Sequence, residues 1–182
     1  VTLRDLLEQS AVDLWAQADF EQARALIEAG DNAYSYGEYR ESLEQFRQAL
    51  ELLTEIESKG QQTLQDAKAA AGKAIESLNL NLASTSFDLA AAMAPQDPQV
   101  EALRARVGTL PQVAALLEAG DQALERDRFQ EARKAYREAV DLDPAHQRAS
   151  LSLAAASREV TEGDVRARMS RGFTAMENRD YE

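Results

Sequence analysis

The sequence predicts an all-α protein, and three observations predict it. Apolar residues recur at spacings of three and four, alternation with a period of two is missing, and Ala, Leu, Glu, Gln and Arg dominate. Those are the residues that give up least conformational freedom in a helix. Leu43, Phe46, Leu50 and Leu53 form one such stripe, with Glu44, Gln45, Arg47 and Gln48 on the other faces. A chain of 182 residues with 8 Gly and 4 Pro has the length of one domain and few places to turn. The expected breaks are Lys59-Gly60, 95–98, 108–111, 142–144 and 161–164.

Residues 1–22 open the chain. Thr2 followed by Asp5 is an N-capping pair for a helix that carries Leu3, Leu6, Leu7, Val12, Leu14 and Trp15, while Ala18-Asp19-Phe20 looks like an interhelix turn. Two readings stand: a capping helix, with Trp15 as a core anchor, or the first half of a repeat in a shifted register. Residues 23–60 read as a helical hairpin whose second helix runs past Thr54 and ends near Lys59-Gly60. Residues 64–97 make a second hairpin, and 113–146 a third. Asp97-Pro98 and Asp143-Pro144 each place a capping residue before a first-turn proline, so they open extra helices within 98–112 and 147–163. Residues 164–182 read as the first helix of a fourth hairpin, running to Asn178 and broken off at Asp180-Tyr181-Glu182.

Self-comparison explains this division. Ala29-Gly30-Asp31-Asn32-Ala33-Tyr34 overlays Ala119-Gly120-Asp121-Gln122-Ala123-Leu124. The register then holds as Tyr39 meets Phe129, Ser42 meets Ala132, Phe46 meets Tyr136, Ala49 meets Ala139 and Leu52 meets Leu142. A weaker copy contains Ala71, Ala74, Leu80, Ala83, Phe87, Ala90, Met93 and Pro95, and a fourth begins with Gly172 and Ala175. The best copy has Leu26, Gly30, Ala33, Gly37, Tyr39, Ser42, Phe46 and Ala49 at its large, small and aromatic positions, and the copy from Val113 to His146 adds Pro144.

This pattern resembles the tetratricopeptide repeat, a helix–turn–helix unit of about 34 residues. The resemblance implies a right-handed helical-repeat solenoid. Spacings of 41, 49 and 52 between the small residues at 30, 71, 120 and 172 exceed that length, hence the intercalated extra helices. Glycine inside a helix costs about 1 kcal/mol relative to Ala unless it lets a neighbour approach, so Gly30, Gly120 and Gly172 predict close helix packing. The aromatic side chains of Phe46, Phe87 and Tyr136 are expected to fill the space between paired helices.

Charge and composition narrow the function. There are 20 basic and 32 acidic residues, and residues 1–56 hold 4 basic against 12 acidic, a balance that repels nucleic acid. No run of eighteen apolar residues inserts into a membrane. Cysteine is absent, no glycine-rich phosphate loop occurs, and the single histidine, His146, reads as a surface residue beside the 142–144 break. No enzyme, metal or cofactor is expected.

What remains is a binding surface. In the family resembled, the first helix of each hairpin lines a concave face. Carried over, that face presents Ile27, Glu28, Asp31 and Tyr34 from the first copy and Lys68, Gly72 and Ile75 from the second. The third supplies Leu117, Glu118, Asp121, Leu124 and Glu125, and the fourth Met169, Phe173 and Met176. Asp31 and Asp121 stand where carboxylate-gripping members carry Asn, which argues against capture of a C-terminal tail. An apolar strip rimmed by carboxylates suits a protein or peptide partner with apolar and basic residues, so a scaffold is the expected function. The alternative is a structural spacer or self-assembly module, with homo-oligomers formed through an uncovered C-terminal helix. The expected setting is a fragment of a longer, anchored protein, exposed outside the cytoplasm.

Overall fold

The computed structural model describes residues 2–177, and these fold into seven α-helices and one 3-10 turn, with no strand among the described residues. The helices are α1 (Leu3–Gln9), α2 (Gln17–Ser35), α3 (Tyr39–Glu76), α4 (Leu80–Met93), α5 (Pro98–Leu124), α6 (Phe129–Leu142) and α7 (Gln147–Glu177), with the 3-10 turn at Val12–Leu14. The expected C-terminal residues Asn178 and Asp180 to Glu182 lie outside the described residues. The chain forms two compact units, the first running up to Ala74 and including Asn81–Val107, the second made of Ile75–Leu80 and the chain from Gly108.

In the first unit, Thr2 and Asp5 form the expected capping box. The Thr2 backbone N–H donates to Asp5 Oδ2 at 2.9 Å, and the Asp5 N–H donates to Thr2 Oγ1 at 3.3 Å. The helix ends sooner than its apolar pattern suggests, because Ala11 adopts a left-handed backbone with φ 52° and turns the chain into the 3-10 segment. Leu7, Val12, Phe20, Ala23, Leu53 and Ile56 then close a core against which Leu3, Trp15 and Ile27 pack. Ala18-Asp19-Phe20 is not a turn. It lies in the first turns of α2, where Phe20 is buried, because an aromatic on the inner face contributes more to the helix packing than a reversal there would.

Three expected breaks are also absent, at Lys59-Gly60, 108–111 and 161–164. The separate extra helices of 98–112 and 147–163 are accordingly the leading parts of α5 and α7. Leu103, Leu110 and Val113 are all buried around Pro111, and burial on both sides outweighs the interior proline, which costs about 3 kcal/mol. Gly37 alone among the glycines takes a positive φ, at 80°. Gly60 instead gives room: a Cβ there would lie 2.6 Å from Trp15 Cη2 and 3.0 Å from Cζ2. The indole is held from its other edge, where Nε1 donates to the Ser10 carbonyl at 3.1 Å. Gly60→Ala is therefore expected to displace Trp15 and red-shift its emission while helical content stays constant. Unchanged emission would show that the ring is not seated there.

The second unit holds Val113, Leu117, Ala123, Ala132, Tyr136, Ala139, Ala149 and Ala156 in one core, with Leu124 and Leu153 against it. Small residues dominate it, so helices approach closely and one aromatic ring fills the gap.

Candidate functional site

The repeated hairpin has a structural register that composition does not reveal. The small residues Gly30, Ala71 and Gly120 are each followed seven positions later by a residue with positive φ: Gly37 (80°), Leu78 (58°) and Asp127 (57°). Nine positions further on stand Phe46, Phe87 and Tyr136. In the outer two copies the next residue closes the helix end in the same way, Glu38 N–H to the Ala33 carbonyl and Arg128 N–H to the Ala123 carbonyl, both at 2.9 Å. Only Gly37 is recognisable in sequence as a turn former, since Leu is rare and Asp merely tolerated in this conformation.

On the α2–α3 hairpin of the first unit, a Cβ on Gly30 would lie 2.7 Å from Phe46 Cε1. The aromatic sits flush on the glycine, with Ala33, Ser42 and Ala49 buried about it, while larger side chains further out are exposed. Tyr34 and Tyr39 meet edge to face with ring centroids 5.4 Å apart, and Tyr36, Leu43 and Leu50 are exposed beside them. A shallow concavity at the start of α3 is lined by Gly37, Glu38, Tyr39, Arg40, Glu41, Glu44 and Gln45. Asp31 is exposed on the same hairpin. The result is an apolar and aromatic face bordered mainly by carboxylates.

The equivalent hairpin of the second unit behaves differently because Tyr136 carries a hydroxyl where Phe46 has none. Its ring packs on Gly120, and its O–H donates to Asp121 Oδ1 at 2.7 Å. Burial first, and then that bond to a carboxylate, pushes the phenol well above its ordinary range. The second Asp121 oxygen is bound by Arg148. Asp121, expected as a free rim charge like Asp31, is thus engaged within its own unit.

His146 departs most from expectation. It is fully buried, with Nδ1 accepting from the Ala149 N–H at 3.4 Å near the start of α7 and lying 3.8 Å from the Glu76 carboxylate. Nε2 has no hydrogen-bond partner among the described residues. Glu76 Oε2 accepts the Gln147 N–H at 3.0 Å. The short link between α6 and α7 folds the ring inward, and the small and polar residues around it in sequence give no sign of this.

Lys68, expected on the groove, is instead tied to the segment after α4. Its Nζ is 2.9 Å from Asp97 Oδ2, and Asp97 Oδ1 accepts the Gln99 N–H at 2.7 Å to cap α5. The Lys68 bond and then that backbone N–H hold the Asp97 carboxyl below its ordinary 3.8. A lowered folded value means that the contribution is complete above about pH 4 and is lost as pH falls through the folded value. Asp97→Asn is expected to lower stability at neutral pH and flatten its decline on acidification, read from urea midpoints between about pH 6 and 3. An acid limb identical to that of the unsubstituted chain would remove Asp97 from the account.

Other expected site residues divide by unit and by burial. Ile75 and Leu117 are buried, while Ile27 and Leu124 are half-buried, and the cores described above include Leu117, Ile27 and Leu124. Ile75 and Leu117 are therefore not open to a partner, whereas Ile27 and Leu124 keep part of their surface exposed. Glu28, Asp31 and Tyr34 are exposed in the first unit, and Glu118, Met169, Phe173 and Met176 in the second, with Glu125 exposed at the end of the same hairpin. Gly172, expected to receive a packed helix, has open space where its Cβ would be. Tyr36, Tyr39, Leu43 and Leu50 join the exposed face although the stripe through Leu43 and Leu50 reads as core in sequence. Between α1 and α3 the first unit also holds an apolar cavity of about 290 Å³, walled by Leu3, Leu6, Leu7, Trp15, Leu64 and Met93 with Glu57 and Gln61 at its edge. Among the described residues no group of His, Asp and Glu is placed to hold a metal, and no helix is long and apolar enough to cross a membrane. Comparison with protein-family models, with curated proteins and with solved structures gives no match to this chain.

Proposed function

We propose that this protein is a protein-interaction scaffold built from tetratricopeptide-like hairpins of a right-handed solenoid, and that the α2–α3 hairpin takes up a basic, apolar segment of a partner. The shared register of small residue, left-handed turn and aromatic in three copies supports the repeat reading. The observation that carries the binding reading is the exposed cluster of Tyr34, Tyr36, Tyr39, Leu43 and Leu50 beside Asp31, Glu38, Glu41 and Glu44. Desolvating such a cluster supplies affinity, aromatic residues being favoured at interface centres, and the carboxylates at its edge select and steer cations.

The test uses a fluorescent synthetic amphipathic helix of leucine and lysine, titrated with the full chain by anisotropy. Saturable binding is expected, weakening with salt as screened charges require. Reversing Asp31, Glu41 and Glu44 to Lys is expected to reduce affinity about tenfold or more, through slower association. Affinity indifferent to both salt and reversal would reduce these carboxylates to solvated surface. A second reading, self-assembly, is favoured by the exposed apolar residues on α7.

A further inference from the structure

We infer that the apolar cavity between α1 and α3 is a binding site for a small amphiphilic cation, an apolar body that carries an ammonium group. The site is separate from the exposed tyrosine face and does not depend on how that face is read. Its volume is about 290 Å³. An apolar cavity of roughly 150 Å³ takes up one benzene ring, so this one has room for a chain or ring system about twice that size. A helix about 10 Å across does not enter such a space.

The walls are firmly placed. Trp15 is fixed by the bond from its Nε1 to the Ser10 carbonyl, and Gly60 leaves α3 flat enough to seat the ring. Leu7 and Met93 are 5% and 8% exposed at the floor, while Leu6, 51% exposed, stands at the lip. Pre-placed apolar walls take up a ligand at little ordering cost. The polar groups then select its head. Ser10 Oγ is already used, donating to the Leu7 carbonyl at 2.8 Å. Glu57 and Gln61 lie one turn apart on α3 at the cavity edge, and among the described residues no ion pair or hydrogen bond engages either side chain. The basic side chains closest in sequence are committed elsewhere, Lys59 to Asp19 and Glu55, and Arg4 to Asp5 and Glu8. Glu57 is thus the one charged residue lining the cavity, and it is unpaired. An ammonium head donates to the Glu57 carboxylate and the Gln61 amide oxygen while the body is desolvated among the leucines, whereas an anionic head meets like charge.

Octylammonium, octanol and octanoate share one apolar body and differ in the head, and Trp15, the only tryptophan, reports on the cavity it walls. Titrating the full chain with each is expected to give a saturable change in Trp15 emission, with affinity highest for octylammonium and lowest for octanoate. Glu57→Gln, at an exposed position, is expected to weaken octylammonium about two- to fivefold, the range for an exposed ion pair, and to leave octanol unchanged. Leu6→Lys sets a cation at the lip and is expected to turn the preference toward octanoate at unchanged circular dichroism. No saturable change with any of the three compounds overturns the inference, as does octanoate bound as tightly as octylammonium. An ammonium preference undiminished in Glu57→Gln traces to the chain's net charge of −12 and likewise overturns it. Displacement of octylammonium by the leucine–lysine helix would give the cavity to a protein partner and overturn the small-molecule site, whereas failure of that helix to bind anywhere would overturn only the reading of the tyrosine face.

Discussion

Truncating Tyr136 to Ala is expected to cost the second unit about 3–5 kcal/mol, the range for removing a large aromatic from a packed core. The ring is fully buried, rests on Gly120 and shares its core with Ala123, Ala132 and Ala139, none long enough to fill the space it would leave. That loss is a large part of the roughly 5–15 kcal/mol that holds a typical domain together. Tyr136→Phe keeps the ring and is expected to cost about 1.5–3 kcal/mol, the net worth of a hydrogen bond to a charged group, while releasing Asp121 from the hydroxyl. Urea denaturation followed by circular dichroism separates the two variants. Equal losses would mean that the hydroxyl, not the seat on Gly120, carries the energy.

The second large effect tests the first unit. Phe20→Ala is expected to cost about 3–5 kcal/mol, because Phe20 sits in the core with Leu7, Val12, Leu53 and Ile56. Trp15, the only tryptophan, packs against the same core and reports unfolding of that unit by fluorescence. Were residues 18–20 a surface turn, the loss would fall within the roughly 0.5 kcal/mol usual for exposed positions. A shift of that small size would restore the turn.

Asp31 and Asp121 occupy the same place in two closely similar sequence segments, yet Asp31 faces solvent while Asp121 is held by Tyr136 and Arg148. The difference arises far along the chain. Where the second hairpin has Tyr136, the first has Phe46 with no hydroxyl to donate, and in the same register Ser58 stands at the place of Arg148. Lysine at both positions is accordingly not an equivalent pair of changes: at Asp31 it alters a border charge, whereas at Asp121 it sets a cation against Arg148.

Periodicity and composition by themselves determined that this chain is helical, since they set which residues line one side of a helix and how little entropy is lost in forming it. Self-comparison also placed the hairpins at Gly30–Phe46 and Gly120–Tyr136, because a glycine inside a helix offsets its entropic penalty only where another helix comes close. Only the tertiary structure decided where helices end. Gly60 and Pro111 look like stops, but packing carries α3 and α5 straight through them, and the real reversals fall at Leu78 and Asp127, residues with no glycine-like signature. It likewise decided which apolar stripes are core and which are surface. Leu43 and Leu53 share a helix and a period, and Leu53 is buried with Phe20 and Ile56 packed around it while Leu43 has no such cover. A stripe in sequence says that a face is apolar; what lies against that face is set by residues far along the chain.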